Sequence, residues 1–228
     1  MTAEAPVLLD LYCKGGGASV GYQRAGFRVI GADLKPQPHY PFRFIKADTR
    51  DVLADLEPNG WSPLLGERIA AVHASPPCQQ FTRARHLRSA QGGRTESLDL
   101  VDETRRRLRR TTLPYVIENV EGAPLYGVTV CGSAVGLKVR RHRVFESNVF
   151  IPRMPCDHQA QGRPVGVYHV LNDAIPGGGT TAETLAEGQE AMGIDWLPWD
   201  ELKEAVPPAY TQFIGRVLLG AIQAEGAS

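Results

Sequence analysis

The sequence has no net charge, no long apolar run and no paired cysteine motif. Its 228 residues hold 25 basic and 25 acidic side chains, a balance that on the sum alone argues against a polyanionic partner. No run of about 18 apolar residues occurs, so no transmembrane helix is expected. The opening MTAEAPVLLDLY lacks a basic leader, an apolar stretch and a small-residue cleavage site, and does not read as a signal peptide. The four cysteines, Cys13, Cys78, Cys131 and Cys156, form no C-x-x-C pair. A disulfide scaffold is therefore not expected, and a reducing cytoplasm fits better. Cys156-x-His158, with Cys131 and His169, has the residue types of a zinc site. It lacks the spacing of a standard finger, and no metal is expected. There is no internal repeat.

What is present is an ordinary globular composition, 43% hydrophobic and 22% charged, at a length suited to one sizeable domain. The charge is unevenly spread. Arg83 to Arg143 contains 13 basic and 6 acidic residues, whereas Asn172 to Glu204 contains 8 acidic residues against Lys203 alone. The first stretch is suited to face a polyanion, the second is not.

Short apolar runs predict strands over 7–12, 28–33, 42–48, 69–75 and 113–119, with further extended runs at 128–133 and 142–150. Helices are predicted over 16–25, 99–110 and 210–224. Such alternation implies an α/β fold, a mostly parallel sheet with right-handed crossovers and helices on both faces. After Ile151 the chain turns rich in Pro, Gly and polar residues, and it reads helical again from Ala182. The expected division is a core over 1–150, a small irregular insertion over 151–182 and a helical segment over 183–228 that returns to the core.

Ligands bind such sheets outside the carboxyl ends of the strands, and the candidate residues sit there. Gly15, Gly16 and Gly17 follow the first strand and let the backbone approach a ligand. The next helix N-terminus offers free N–H groups. Asp33 ends the second strand, where it would accept from ribose hydroxyls, and Asp48 ends the third, within reach of an adenine amino group. This is the order of an adenosyl-cofactor site. It also fits a dinucleotide, but Cys13-Lys14-Gly15-Gly16-Gly17 matches G-x-G-x-x-G poorly.

The fourth strand runs into Ser75-Pro76-Pro77-Cys78-Gln79. Two prolines stiffen this turn, and no acid lies between Cys78 and Arg94. The loop's Arg83, Arg85, His86 and Arg88 favour a thiolate and are able to hold phosphates. Glu118-Asn119 ends an apolar strand, a costly place for a carboxylate without a role. Arg141 and Arg143 alternate on an extended segment and are expected to share one face.

Taken together these motifs resemble the DNA cytosine-C5 methyltransferase family, and especially the short methylases of bacteriophages. Asp10-Leu11-Tyr12-Cys13-Lys14-Gly15-Gly16-Gly17-Ala18-Ser19 resembles the family's cofactor motif, Pro77-Cys78-Gln79 its nucleophile motif, Glu118-Asn119-Val120 the motif that holds the base, and Arg141-x-Arg143 its arginine pair. Ala205-Val206-Pro207-Pro208 resembles the last motif, which completes the cofactor pocket. The resemblance implies a Rossmann-like fold dependent on S-adenosylmethionine, with S-adenosylhomocysteine as product. It implies DNA as partner, no membrane, and a monomer in the cytoplasm, a bacterial host's if phage-encoded. Cys78 would add to C6 of a flipped-out cytosine and Glu118 would assist at N3. Asn119 would orient the pocket, and Arg143, with Arg141, would contact the base or the adduct. Cofactor contacts would come from Tyr12, Lys14, Gly15, Gly16, Gly17, Asp33, Leu34, Asp48, Thr49 and Pro76. DNA contacts would come from Gln79, Arg83, Arg85 and Arg88.

The chain also departs from the family. Lys14 replaces the first glycine of the cofactor motif, Lys203-Glu204 replaces the usual Gly-Asn pair, and Val139 replaces a glutamine. The large specificity domain is missing, so recognition is expected to be short or degenerate. Two alternatives follow: the same chemistry on RNA or free cytosine nucleotide, and transfer of a carboxylate-bearing group that the lysines would recognise.

Overall fold

The structure is a computed structural model that describes residues 4–77, 100–168 and 179–226. Its centre is a mixed sheet built on β1 (Val7–Leu11), β2 (Arg28–Asp33), β3 (Arg43–Lys46), β5 (Glu67–Ala74), β6 (Tyr115–Asn119), β7 (Val128–Cys131) and β8 (His142–Ser147), with the short β4 (Trp61–Ser62) beside β5. The spatial order is β3-β2-β1-β5-β6-β8-β7. β8 runs antiparallel to both its neighbours, and the other main pairings are parallel.

Alternation along the buried strands places helices on both faces. From β1, Leu9 and Leu11 point to one layer with Ile30, Val52 and Leu108. That layer is covered by α2 (Thr49–Asp55) and α3 (Leu100–Leu108). Leu8 points the other way, to Tyr22, Val116, Phe145, Tyr210 and Ile214, under α1 (Gly17–Ala25) and α7 (Pro208–Gly226). Each such fully buried side chain contributes about 1.5–3 kcal/mol. α1 and α7 lie very close. A Cβ at Gly21 would meet Thr211 Oγ1 at 2.0 Å and the Pro208 carbonyl at 2.2 Å, so any side chain there would push the helices apart.

The direction of winding reverses at β1: β2 and β3 lie on one side, β5 and β6 on the other. This switch point opens a crevice at the carboxyl ends of β1 and β5.

The segment after Ile151 is less irregular than expected. It holds α4 (His158–Gln161) and a small parallel pair, β9 (Val165–Gly166) with β10 (Thr180–Thr181). Then come α5 (Leu185–Met192), with a Thr184–Glu187 capping box, and α6 (Trp199–Leu202). α5, α6 and β9 contribute to a third apolar cluster with Val139, Val167 and Ala205. α2 was not anticipated. The third strand stops at Lys46, and the acid thought to end it, Asp48, is instead the N-cap of α2, accepting from Arg50 N–H. Among the described residues no helix is long and apolar enough to cross a membrane.

Candidate active site

The crevice contains a cavity walled by the β1–α1 loop, the turn Ser75-Pro76-Pro77, the end of β6 with Glu118 and Asn119, Arg143 of β8, and Glu201 to Val206. Five stretches far apart in sequence meet here. Cys78 follows Pro77 directly in the chain, but Cys78, Gln79, Arg83, Arg85 and Arg88 all lie outside the described residues, as does His169.

Glu118 is the central acid of the cavity. It is 5% exposed, and Arg143 Nε sits 3.0 Å from its Oε1. The contact is close but poorly aligned, and Oε1 has no hydrogen-bond partner among the described residues. Burial raises the Glu118 pKa above the usual carboxylate range, against the opposing pull of Arg143, a Ser75 hydrogen bond, Arg141 and Lys14. Behind Ser75 runs a buried polar chain. The Ser75 hydroxyl is 2.9 Å from His73 Nε2, and His73 Nδ1 is 2.9 Å from the Tyr22 hydroxyl. Burial drops the His73 pKa to about 3, so its ring is neutral and relays one donor and one acceptor.

Asn119 holds the turn that leads to Cys78. Its Nδ2 donates to the Pro76 carbonyl at 2.9 Å, and its Oδ1 accepts from Val120 N–H. Asp10, quoted within the glycine motif but given no role, also reaches the cavity. It is 1% exposed, its Oδ2 accepts from Ser19, and its Oδ1 is buried without a partner among the described residues. Burial lifts its pKa to about 7. Glu201, another residue missed in the sequence, places in the same wall a buried Oε2 without a hydrogen-bond partner among the described residues, while its Oε1 pairs with His39 Nδ1 at 2.8 Å. Its only signal was membership in an acidic helix, which reads as a solvated face.

The β1–α1 loop is strained at two non-glycine residues, Tyr12 with φ 59° and Lys14 with φ 44°. A left-handed conformation costs a side-chain-bearing residue about 1 kcal/mol or more. A glycine at position 14 would adopt the same conformation without that cost. Lys14 N–H donates to Asp33 Oδ2 at 3.2 Å, and Lys14 Nζ pairs with Glu204 Oε2 at 2.5 Å. The two departures from the family pattern therefore touch each other. The glycines serve packing as much as ligand access. A Cβ at Gly15 would strike Leu197 at 2.5 Å, and one at Gly17 would strike the Val206 carbonyl at 2.4 Å. Trp196 Nε1 donates to the Gly15 carbonyl across the same seam.

The remaining candidates fall elsewhere. Arg141 and Arg143 both act electrostatically on Glu118, but of the two only Arg143 lines the cavity. Arg141 precedes β8, is 7% exposed, and donates to the carbonyls of Ala205 and Lys203. It braces the returning segment and is absent from the cavity wall, because those two carbonyls need a donor when buried. Asp33 accepts from the N–H groups of Lys14 and Lys35 and bridges the loops after β1 and β2. Leu34 beside it is 63% exposed. Asp48 is taken up by its helix cap and by Arg50 at 2.6 Å, which lowers its pKa. Thr49 is buried at 3% exposure, and the Tyr12 hydroxyl meets Thr104 at 3.2 Å. Much of the basic excess is used internally. Arg105 pairs with Glu146, Arg107 with Glu103, and Arg140 with Gln161 and two carbonyls.

No family profile matches the sequence, and no curated protein matches it. Solved structures do match in shape. A protein assigned as a DNA modification methyltransferase encoded within an E. coli prophage aligns at TM-score 0.62 and 14% identity, covering 96% of this chain and all of that one. Entamoeba histolytica methyltransferase EhMeth aligns at 0.60 and 10% identity, over 96% and 99% of the two chains. S. pombe Dnmt2 methyltransferase aligns at 0.59 and 13%, over 95% and 99%. The chain thus has the Rossmann-like methyltransferase fold of these proteins, and the likeness read from its motifs extends to its architecture.

Proposed function

We propose that the protein transfers a methyl group from S-adenosylmethionine to C5 of cytosine in DNA, with Cys78 as nucleophile. The observation that carries this reading is Glu118: a carboxyl whose pKa is raised by burial, with Oε1 lacking a hydrogen-bond partner among the described residues, at the strand end next to the turn that leads into Cys78. Cytosine becomes electrophilic at C6 only when N3 is protonated or hydrogen-bonded, and a neutral buried carboxyl supplies that hydrogen bond.

The cavity suits the cofactor. Carboxyl oxygens of Asp10 and Glu201 without hydrogen-bond partners among the described residues flank the glycine loop, and the cofactor carries an ammonium, ribose hydroxyls and a cationic sulfonium to meet them. Gly15, Gly16, Gly17 and Pro76 would form its walls, with Tyr12 and Asp33 at the rim and Leu34 exposed for a purine face. Asp48 and Thr49 are already engaged and are not proposed as contacts. When bound, S-adenosylmethionine supplies an electrophilic methyl group.

The protein's own steps follow. The Cys78 thiolate adds to C6 while Glu118 donates to N3, which makes C5 nucleophilic. Arg143, beside Glu118, stabilises charge on the ring. Asn119 fixes the Pro76 carbonyl and with it the start of the Cys78 loop. After methyl transfer to C5, loss of the C5 proton and expulsion of Cys78 restore the aromatic ring. Gln79, Arg83, Arg85 and Arg88 would contact the DNA, and 151–182 would act as a small recognition insertion between the core and the 183–228 segment. A carboxylate-bearing donor is not favoured. Lys14 is paired with Glu204, and Lys203 with Asp200 at 2.6 Å.

The test is incubation with methyl-labelled cofactor and, in parallel, duplex DNA, RNA and dCMP. Label in 5-methylcytosine of the DNA is expected, and Cys78→Ser abolishes it. Label only in RNA or dCMP would replace the proposed substrate. Undiminished transfer by Cys78→Ser would overturn the mechanism.

A further inference from the structure

On the far side of β8 from the cavity, four side chains converge that the methyltransferase reading does not use. They are Cys131, His142, Cys156 and His158, and their ligating atoms all lie within 4.8 Å of one another. We propose that they form a tetrahedral structural site for one zinc ion.

Geometry carries the assignment. Cys131 ends β7 and His142 opens β8, and the two are directly opposed in the antiparallel register. Directly opposed residues bring their side chains together on one face. Cys156 and His158 come from the following segment as a C-x-H pair and reach back over the strand ends. Cys131 Sγ is 3.4 Å from His158 Nε2, and Cys156 Sγ is 3.4 Å from His142 Nε2. Zinc bonds sulfur at about 2.3 Å and nitrogen at about 2.0 Å, so the edges of its ligand tetrahedron are about 3.3–3.8 Å. The two S···N distances already match that edge. Two thiolates and two imidazoles are a zinc donor set in type and number.

The surroundings are those of a metal site. The Ser133 hydroxyl donates to Cys131 Sγ at 3.3 Å, a contact suited to a thiolate. Glu121 Oε2 lies 3.9 Å from His142 Nδ1, on the side of the ring away from Cys156. At that distance the carboxylate makes no hydrogen bond, but its charge favours the Nδ1–H tautomer, which leaves Nε2 to ligate.

The local chain also needs such a bond. α4, which begins at His158, has no buried residue. Pro152, Arg153, Pro155, Cys156 and Asp157 are all exposed. A stretch with so little apolar burial cannot offset the entropy of being fixed, whereas ligation to a zinc ion provides folding free energy directly. The ion would pin the start of the insertion to the β7–β8 pair, whose inner strand β8 carries Arg143. The spacing, Cys131 and His142 with Cys156 and His158, is not that of a finger. The fourth ligand among the described residues is His142, which no local sequence pattern singled out, and this is why the motif was not legible as one.

The experiment measures metal in the purified full-length protein by plasma mass spectrometry, with thiols kept reduced. One zinc per chain is expected. Cys156→Ser, at an exposed position, and His158→Ala should each reduce it to near zero. Cobalt loaded in place of zinc should give the intense visible bands of a tetrahedral ion and thiolate charge-transfer absorption in the near ultraviolet. Chelation should speed proteolytic cutting within 152–164. Protein that neither retains zinc nor takes up one equivalent of cobalt overturns the proposal. So does metal content unchanged in both variants, or a Cys131–Cys156 disulfide found in the protein as isolated from a reducing cytoplasm. None of these results depends on methyl transfer, so the site stands or falls apart from the proposed activity.

Discussion

Glu118 and Glu146 sit on adjacent strands, each is 5% exposed, and each faces an arginine. Their fates are opposite. In the β6–β8 register Glu146 pairs with Ile117 and Glu118 with Phe145, so the two acids point to opposite faces of the sheet. Burial alone would raise Glu146 as it raises Glu118. But Arg105 grips both Glu146 oxygens, at 2.7 and 2.9 Å, and Tyr126 N–H donates to one at 3.0 Å, so the Glu146 pKa is lowered. Arg143 offers Glu118 proximity without alignment, and the Glu118 pKa is raised. Burial and charge type do not separate a structural ion pair from a candidate catalytic acid. The number of aligned donors does.

The largest effect that would test this contrast is on turnover. Glu118→Gln should lower transfer about 10²–10⁴-fold, with the far-ultraviolet circular dichroism of the wild type. The pH dependence should follow the direction of the shift. The reaction needs Glu118 protonated, so its contribution holds at low pH and fades as pH rises through the raised folded-state pKa. A rate with no alkaline limb assignable to Glu118 would remove its role as acid.

Glu146→Gln should act on stability. Removing one charge of the buried pair leaves Arg105 only the more exposed Asp102 as counter-charge, and the cost lies toward the low end of about 3–5 kcal/mol, read by urea unfolding. The sign with pH is reversed. A lowered carboxyl pKa stabilises above the unfolded-state value and loses that contribution as pH falls through the folded-state value. Glu146→Gln should therefore be less acid-sensitive than the wild type, and an unchanged acid response would show that the pair is not the source. The smallest effect belongs to a third glutamate–cation pair, Lys14 with Glu204, whose side chains are 50% and 55% exposed. Lys14→Ala should change the unfolding free energy by less than about 1 kcal/mol.

The parallel core was legible because its strands are continuous apolar runs ending at glycine, proline or an acid, and β2 has its expected bounds at Arg28–Asp33. The place of Glu118, Asn119, Pro76 and the glycine loop followed from the rule that strand ends face the crevice. The missed features depend on side-chain direction. Asp48 reads as a strand-end acid until the helix after it is recognised. Arg141 and Arg143 look like an alternating pair until the strand is seen to begin at His142. The Cys131–His142 pairing needs the β7–β8 register, which no local pattern encodes. Glu201 and Trp196 matter only because the chain folds back on its beginning.

That return has a consequence for how the protein comes into being. The first loop, at residues 12–17, is finished by Trp196, Leu197, Glu201, Glu204 and Val206, roughly 180 residues later along the chain. During synthesis the sheet strands emerge long before their closing partners, at about 5–20 residues per second. The cavity can therefore close only after residue 206 has been made. A chain interrupted before Trp196 would carry the glycine loop and the β6 acid without the wall that encloses them.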